Sequence, residues 1–163
     1  MITTPRCGIG YDAHRLVAGR RLVLGGVEIA DAELGLLGHS DADALAHAVI
    51  DALLGAAGLG DIGQRYPDDD ERFRGADSIA LLRDTAAAVR AAGFVPVNVD
   101  ATVVCEAPRL APYRDEMRAR LAQVLGVSLD CVNVKFTRGE GMGFVGRGEG
   151  VAALAVATVA PAS

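Results

Sequence analysis

Residues 39–58, HSDADALAHAVIDALLGAAG, decide the architecture. Ser40 is a good N-cap with an acid three residues on at Asp43, apolar residues continue through Leu54, and Gly55 and Gly58 end the pattern. The spacing predicts a helix over residues 41–57. Upstream, residues 6–11 and 21–30 (RLVLGGVEIA) read as short strands, the second broken by Gly25-Gly26. Downstream, GDIGQRYPDDDERFRG (60–75) is polar and proline-broken with no periodic apolar face, which predicts a long surface loop of the kind that often carries function. Asp77 or Ser78 caps a second amphipathic helix that stops at Gly93, and VNVDATVVC (97–105) alternates with the period of a half-buried strand. Pro112 opens a third helix that Gly126 closes. VNVKFT (132–137) and VAALAVATVA (151–160) supply two more strands, although the Ala-rich second reads equally as helix on periodicity alone. The order ββ-α-α-β-α-β-β predicts one α/β domain of the α+β type over residues 1–163, a mixed sheet with helices packed on one face.

Composition narrows the function. With 163 residues, 51% of them hydrophobic and 23% charged, the chain is long enough for a real core and is neither disordered nor a coiled coil. Aromatic residues make up 4%, Trp is absent and the net charge is −5, which argues against stacking platforms and phosphate-backbone binding; no nucleic-acid partner is expected. The apolar run 151–160 is half a membrane span, and MITTPRCG has no targeting profile, so no membrane partner and a cytoplasmic location are expected. Cys7, Cys105 and Cys131 are far apart, odd in number and without a C-x-x-C pair, and read as small buried hydrophobes.

All three histidines, His14, His39 and His47, fall early. In YDAH an extended backbone projects Asp12 and His14 to one face, while Asp43 and His47 lie four apart on a helix face. A carboxylate and imidazole set suits zinc: Asp12, His14 and one more histidine would leave the open fourth position of a catalytic site. A histidine on an Ala/Leu helix is also often a hydrogen-bonded core residue. Asp51, one turn beyond His47, reads equally as acceptor for the free ring N–H or as a solvated carboxylate. The runs Asp41/Asp43 and Asp68-Asp69-Asp70 suit hard cations or water. In FTRGEGMGFVGRGEG (136–150), six glycines surround Arg138, Glu140, Arg147 and Glu149; they suit a phosphate or a pair of turns.

Five ordered blocks carry a specific likeness. GYDAH (10–14), GGVEI (25–29), HSDADALAH (39–47), LLGAAGLGDIG (53–63) and GFVGRGEG (143–150) make the chain resemble the 2-C-methyl-D-erythritol 2,4-cyclodiphosphate synthases of the non-mevalonate isoprenoid pathway. That resemblance implies a lyase that takes 4-diphosphocytidyl-2-C-methyl-D-erythritol 2-phosphate, joins its 2-phosphate to the β-phosphorus and releases CMP. It implies one Zn²⁺ per chain on Asp12, His14 and His47, a second divalent cation, Mg²⁺ or Mn²⁺, at Glu140, and transition-state stabilisation by His39. It also implies a homotrimer with active sites between subunits and the strand at 151–160 near the threefold axis.

The same likeness assigns substrate contacts. The methylerythritol phosphate would meet His39 with Ser40, then Asp61, Ile62 and Gly63, then Tyr66, Pro67, Asp68, Asp69 and Asp70, and Asp12, Ala13 and His14 would also touch the substrate. Cytosine would meet Cys105, Glu106, Ala107, Pro108, Arg109, Leu110 and Ala111, largely through backbone groups, and Thr137, Arg138, Gly139 and Glu140 would also touch the substrate. Phe144 and Arg147 fall where such enzymes line substrate or a central cavity. Where the family usually reads K-A-T-T-T-E, this chain reads Lys135-Phe136-Thr137-Arg138-Gly139-Glu140, and of these departures the one that matters is Arg138, at a threonine credited with transition-state stabilisation. A zinc-dependent phosphohydrolase and a non-catalytic metabolite-binding trimer are the competing readings.

Overall fold

The computed structural model describes residues 4–162. Its elements are β1 (Arg6–Val17), β2 (Val23–Leu24), β3 (Val27–Glu28), β4 (Gly35–Leu36), α1 (Ala44–Ala57), α2 (Ile62–Arg65), α3 (Ser78–Ala91), β5 (Phe94–Val104), α4 (Arg114–Leu125), β6 (Val132–Thr137), α5 (Gly143–Gly146) and β7 (Gly150–Pro161). Five strands form a mixed sheet in the order β4-β1-β7-β5-β6, in which only β5 and β6 are parallel. The Ala-rich tail is therefore strand, and it is the central one.

Several boundaries shift for local reasons. β1 continues to Val17, past the residue-11 limit of its apolar signal, because Asp12, His14 and Arg15 keep the ladder to β7 while hiding its hydrophobic alternation. The 21–30 strand is instead a hairpin: Gly25 and Gly26, at φ 59° and 74°, supply the two-residue turn between β2 and β3. Ser40 does not cap α1. Its hydroxyl accepts from Ala42 N at 3.1 Å, and Asp43 caps the helix by accepting from Ala46 N. The expected loop 60–75 contains α2 and a 3₁₀ turn at Glu71–Phe73.

α1, α3 and α4 pack on one sheet face. Contact with β1 is close because Gly8 and Gly10 have no side chain; a Cβ on Gly10 would sit 1.9 Å from Ala48 O, and one on Gly8 2.1 Å from Ala52 O. That seating brings His47 of α1 down onto Asp12 and His14. The opposite sheet face is bare and apolar: Ile9 is 69% exposed, Tyr11 55%, and Leu154 and Val156 also face outward. Of the three cysteines, all free, only Cys105 is buried; Cys7 is exposed and Cys131 half-buried, contrary to their reading as core residues.

Candidate functional site

Asp12 and His14 alternate with Tyr11 and Ala13 along β1, so both point toward α1, where His47 stands. Asp12 Oδ2 lies 2.8 Å from His14 Nε2 and 3.1 Å from His47 Nδ1, and the two nitrogens are 3.3 Å apart. A tetrahedron with zinc–ligand bonds of ~2.0–2.1 Å has edges of about 3.3 Å.

The remaining ring nitrogens fix the protons. His14 Nδ1 is 2.9 Å from Leu37 O, which only accepts, so Nδ1 carries the hydrogen and Nε2 keeps a lone pair. His47 Nε2 meets Ser78 Oγ at 2.8 Å and Ser40 Oγ at 3.3 Å. With that hydrogen on Nε2, Nδ1 also presents a lone pair. Three acceptors then converge with no donor among them, an arrangement that calls for a cation. These residues fit a metal of zinc's preferences, and among the described residues they are the one such His/Cys/Asp/Glu group. Burial is the largest single influence on the Asp12 carboxyl and raises it, but when the imidazoles carry a proton between them, their hydrogen bonding and charge together outweigh burial and hold it well below the usual carboxylate range. Burial is the largest single influence on His14 and lowers it, but the hydrogen bond and charge of Asp12, the Leu37 carbonyl and the Asp68 charge together raise it, so in the absence of a metal a proton between Asp12 and the imidazole is held more tightly than on a free histidine.

Around this group lies a cavity of about 370 Å³ lined by Asp12, His14, His39, Ser40, His47, Ile62, Gly63, Tyr66 and Asp68, with Leu37, Gly38, Phe73 and Leu81. His39 Nε2 donates to Asp70 O at 3.0 Å, which leaves Nδ1 for a ligand. Tyr66 is engaged through its hydroxyl by Leu81 O, Asp84 and Thr85. Asp61 caps α2, and Asp51 accepts from Ile62 N at 2.9 Å, so Asp51 anchors the 61–63 segment and does not orient His47. Asp70 pairs with Arg72, and Asp69 and Pro67 lie outside the cavity lining. Asp43 turns its buried carboxylate to Gly25 N and Gly26 N, away from the metal group.

A second cavity of about 220 Å³ is lined by Cys105, Glu106, Pro108, Arg109, Leu110, Ala111, Thr137 and Arg138. Arg114 and Phe136, stacked at 5.2 Å, line it too, and the sequence reading missed both. Phe136 was visible as a departure; Arg114 carried no signal. Burial pushes the Cys105 thiol up to about 11, so it is inert. Arg138 bonds Glu106 at 2.9 Å, and Gly139 N donates to the same carboxylate at 2.8 Å. Glu140 is exposed at φ 54° and stands apart from the histidine group. Ala107 lines a different hollow with Arg147, and Ala13 shares another with His14, Arg15 and Phe144. Arg147 pairs with Glu149 at 2.7 Å.

Residues 5–160 match the YgbB family. The chain is 62% identical to a bifunctional enzyme IspD/IspF of Anaeromyxobacter sp. over 92% of its own length, spanning 38% of that protein. It is 57% identical to a 2-C-methyl-D-erythritol 2,4-cyclodiphosphate synthase of Bordetella petrii, covering 97% of each. A solved CDP-bound structure of such a synthase superposes with a TM-score of 0.87 at 37% identity, covering 95% of this chain and 100% of that one.

Proposed function

The chain belongs to the YgbB family, the 2-C-methyl-D-erythritol 2,4-cyclodiphosphate synthases, and from that premise we propose that its residues perform the cyclising reaction. The substrate is 4-diphosphocytidyl-2-C-methyl-D-erythritol 2-phosphate. An oxygen of its 2-phosphate attacks the β-phosphorus, the bond from that phosphorus to the bridging oxygen breaks, and CMP departs with the electron pair. No water is consumed. A phosphate monoester with a second pKa near ~6 is already an anionic nucleophile, so the protein has only to position it and neutralise charge.

The single observation that carries this reading is the convergence of Asp12, His14 and His47 with lone pairs facing one point inside the first cavity. These three would hold Zn²⁺, and Glu140 would hold a second divalent cation, Mg²⁺ or Mn²⁺. Bound there, the two ions supply Lewis-acid polarisation of the diphosphate and neutralisation of departing CMP. His39 offers Nδ1 to the phosphates. Ser40, the 61–63 segment and Tyr66 to Asp70 enclose the methylerythritol moiety, and Cys105 to Ala111 receive cytosine. Arg138 reaches a phosphate by exchanging its Glu106 partner for it, a charge-assisted donor where threonine is usual.

A homotrimer with shared active sites belongs to the same proposal, supported by the bare apolar face around Ile9, Tyr11, Leu154 and Val156 and by two cavities with no lining residue in common. Because β7 is central, this assembly would cover a sheet face and not an open edge. We assign the enzyme to the cytoplasm, a reading supported by its free thiols, which suit a reducing compartment. Among the described residues no helix is long and apolar enough to cross a membrane. Incubation with the substrate and phosphorus NMR test the proposal: CMP with a cyclic diphosphate is expected, and inorganic phosphate without CMP would mark a phosphohydrolase.

A further inference from the structure

We propose that Ser78 and Asp41 form a hydrogen-bond relay behind His47 that fixes its tautomer, making Ser78 a positioning residue for the metal centre. The inference rests on the assignment of Asp12, His14 and His47 as metal ligands. Ser78 is fully buried, and its hydroxyl carries a single hydrogen. That hydrogen goes to Asp41 Oδ1, since a carboxylate accepts and does not donate. Ser78 Oγ can therefore only accept from its other neighbour, His47 Nε2 at 2.8 Å. If Nε2 lacked its hydrogen, two lone pairs would face each other at that distance in a buried site.

Ser40 is the competing partner. Its hydroxyl could donate to Nε2, but it lies at 3.3 Å and already accepts from Ala42 N. The closer oxygen, which cannot donate, decides the matter. Nε2 keeps its hydrogen, and Nδ1 turns a lone pair to Asp12 and His14. His14 reaches the complementary state by a simpler device, the Leu37 carbonyl on Nδ1. The two ligands thus coordinate through opposite nitrogens, each held by a different kind of acceptor.

Asp41 is itself immobilised. Its Oδ2 accepts Ser78 N at 3.0 Å, its Oδ1 also accepts Asp43 N at 3.2 Å, and its own N–H donates to Ala76 O at 3.1 Å. The relay joins the start of α3 to the loop before α1, so two helices set one imidazole. A purely structural role for the Asp41–Ser78 contact, as a cap on α3, is already filled in part by Asp77, which accepts Ile79 N at 2.9 Å.

The experiment combines nitrogen-15 NMR of histidine-labelled, metal-free full-length protein at alkaline pH with Zn²⁺ affinity measured against a chromophoric chelator. Wild type is expected to show His47 as the Nε2–H tautomer. Ser78→Ala is expected to weaken zinc tenfold to a hundredfold, the range for lost partners of metal-bound imidazoles, and Ser78→Thr to restore most of it. Asp41→Asn, whose amide can donate to the serine, is expected to move His47 toward the Nδ1–H form. A wild-type Nδ1–H tautomer, zinc affinity within twofold in Ser78→Ala, or no measurable zinc affinity in wild type would each overturn the relay. Should Ser78→Ala not fold, the wild-type tautomer still decides. CMP release by wild type is read separately: its absence alongside an Nε2–H tautomer and weakened zinc would remove the cyclising reaction and leave the relay standing.

Discussion

Around Asp12, His14 and His47 each outer ring nitrogen is held by a carbonyl or hydroxyl, and His47 is 8% exposed; at the second cavity Arg138 is 63% exposed and its partner is a single carboxylate. The first site is preorganised by main-chain seating of α1 on β1. The second is arranged by one ion pair, Arg138 with Glu106, whose guanidinium faces solvent and can exchange that partner for a phosphate or a neighbouring copy at little cost. A metal centre needs the former, because converging lone pairs repel until a cation or proton joins them. A site that must admit and release a nucleotide is served by the latter.

The largest effect that would break this contrast is at His47. His47→Ala is expected to remove zinc from the purified protein and to lower kcat by about a thousandfold, the scale of several kcal/mol of Lewis-acid stabilisation. Full zinc occupancy in that variant would show that the donor set is not the metal site.

Next comes the seating that builds the set. Gly10→Ala places a methyl 1.9 Å from Ala48 O, so α1 must move off β1. A loss of about 1–3 kcal/mol in denaturant unfolding, with weakened zinc binding, is expected. Unchanged stability would mean that the close approach is not required.

A third outcome concerns pH in the metal-free protein. The Asp12 carboxyl lies below its unfolded value of 3.8, so its stabilisation is present above that value and is lost as pH falls through the lower folded one. His14 is raised above 6.5, so its contribution is complete below 6.5 and is lost as pH rises through the raised folded value. Stability from this pair is therefore fullest between about pH 4 and 6.5. Zinc must displace the His14 proton, so apparent affinity is expected to rise about tenfold per pH unit up to that raised value. Flat affinity from pH 6 to 8 would contradict the shared-proton picture.

The smallest expected effect belongs to the second site. Arg138→Ala is expected to lower kcat on the order of tenfold, with a smaller change in KM and an unmoved thermal midpoint, as loss of a transition-state contact requires. Wild-type kcat would leave Arg138 a surface residue paired with Glu106.

The same contrast explains what the sequence disclosed. α1, α3, α4, β5 and β6 announced themselves through apolar period and glycine stops, and Asp12 with His14 through period-two spacing on an extended strand, whereas the two-residue β4 gave no signal and the Ala-rich β7 read equally as helix. What escaped depended on contacts distant in sequence. Ser78 lies 31 residues from His47 and 37 from Asp41, and it read only as a helix cap. Asp43 matched a helix-face spacing with His47, yet its carboxylate caps the helix and holds the Gly25-Gly26 turn. β1 beyond residue 11 was hidden because the polar residues that would bind metal replace the apolar alternation.

The cyclising reaction is tested most directly by running it in ¹⁸O-enriched water with zinc and a second divalent ion supplied. Ring closure uses an oxygen already in the substrate, so CMP and the cyclic diphosphate are expected to carry no ¹⁸O by mass spectrometry. One ¹⁸O atom incorporated into a phosphate-bearing product at each turnover would show that water is the nucleophile and would contradict the account.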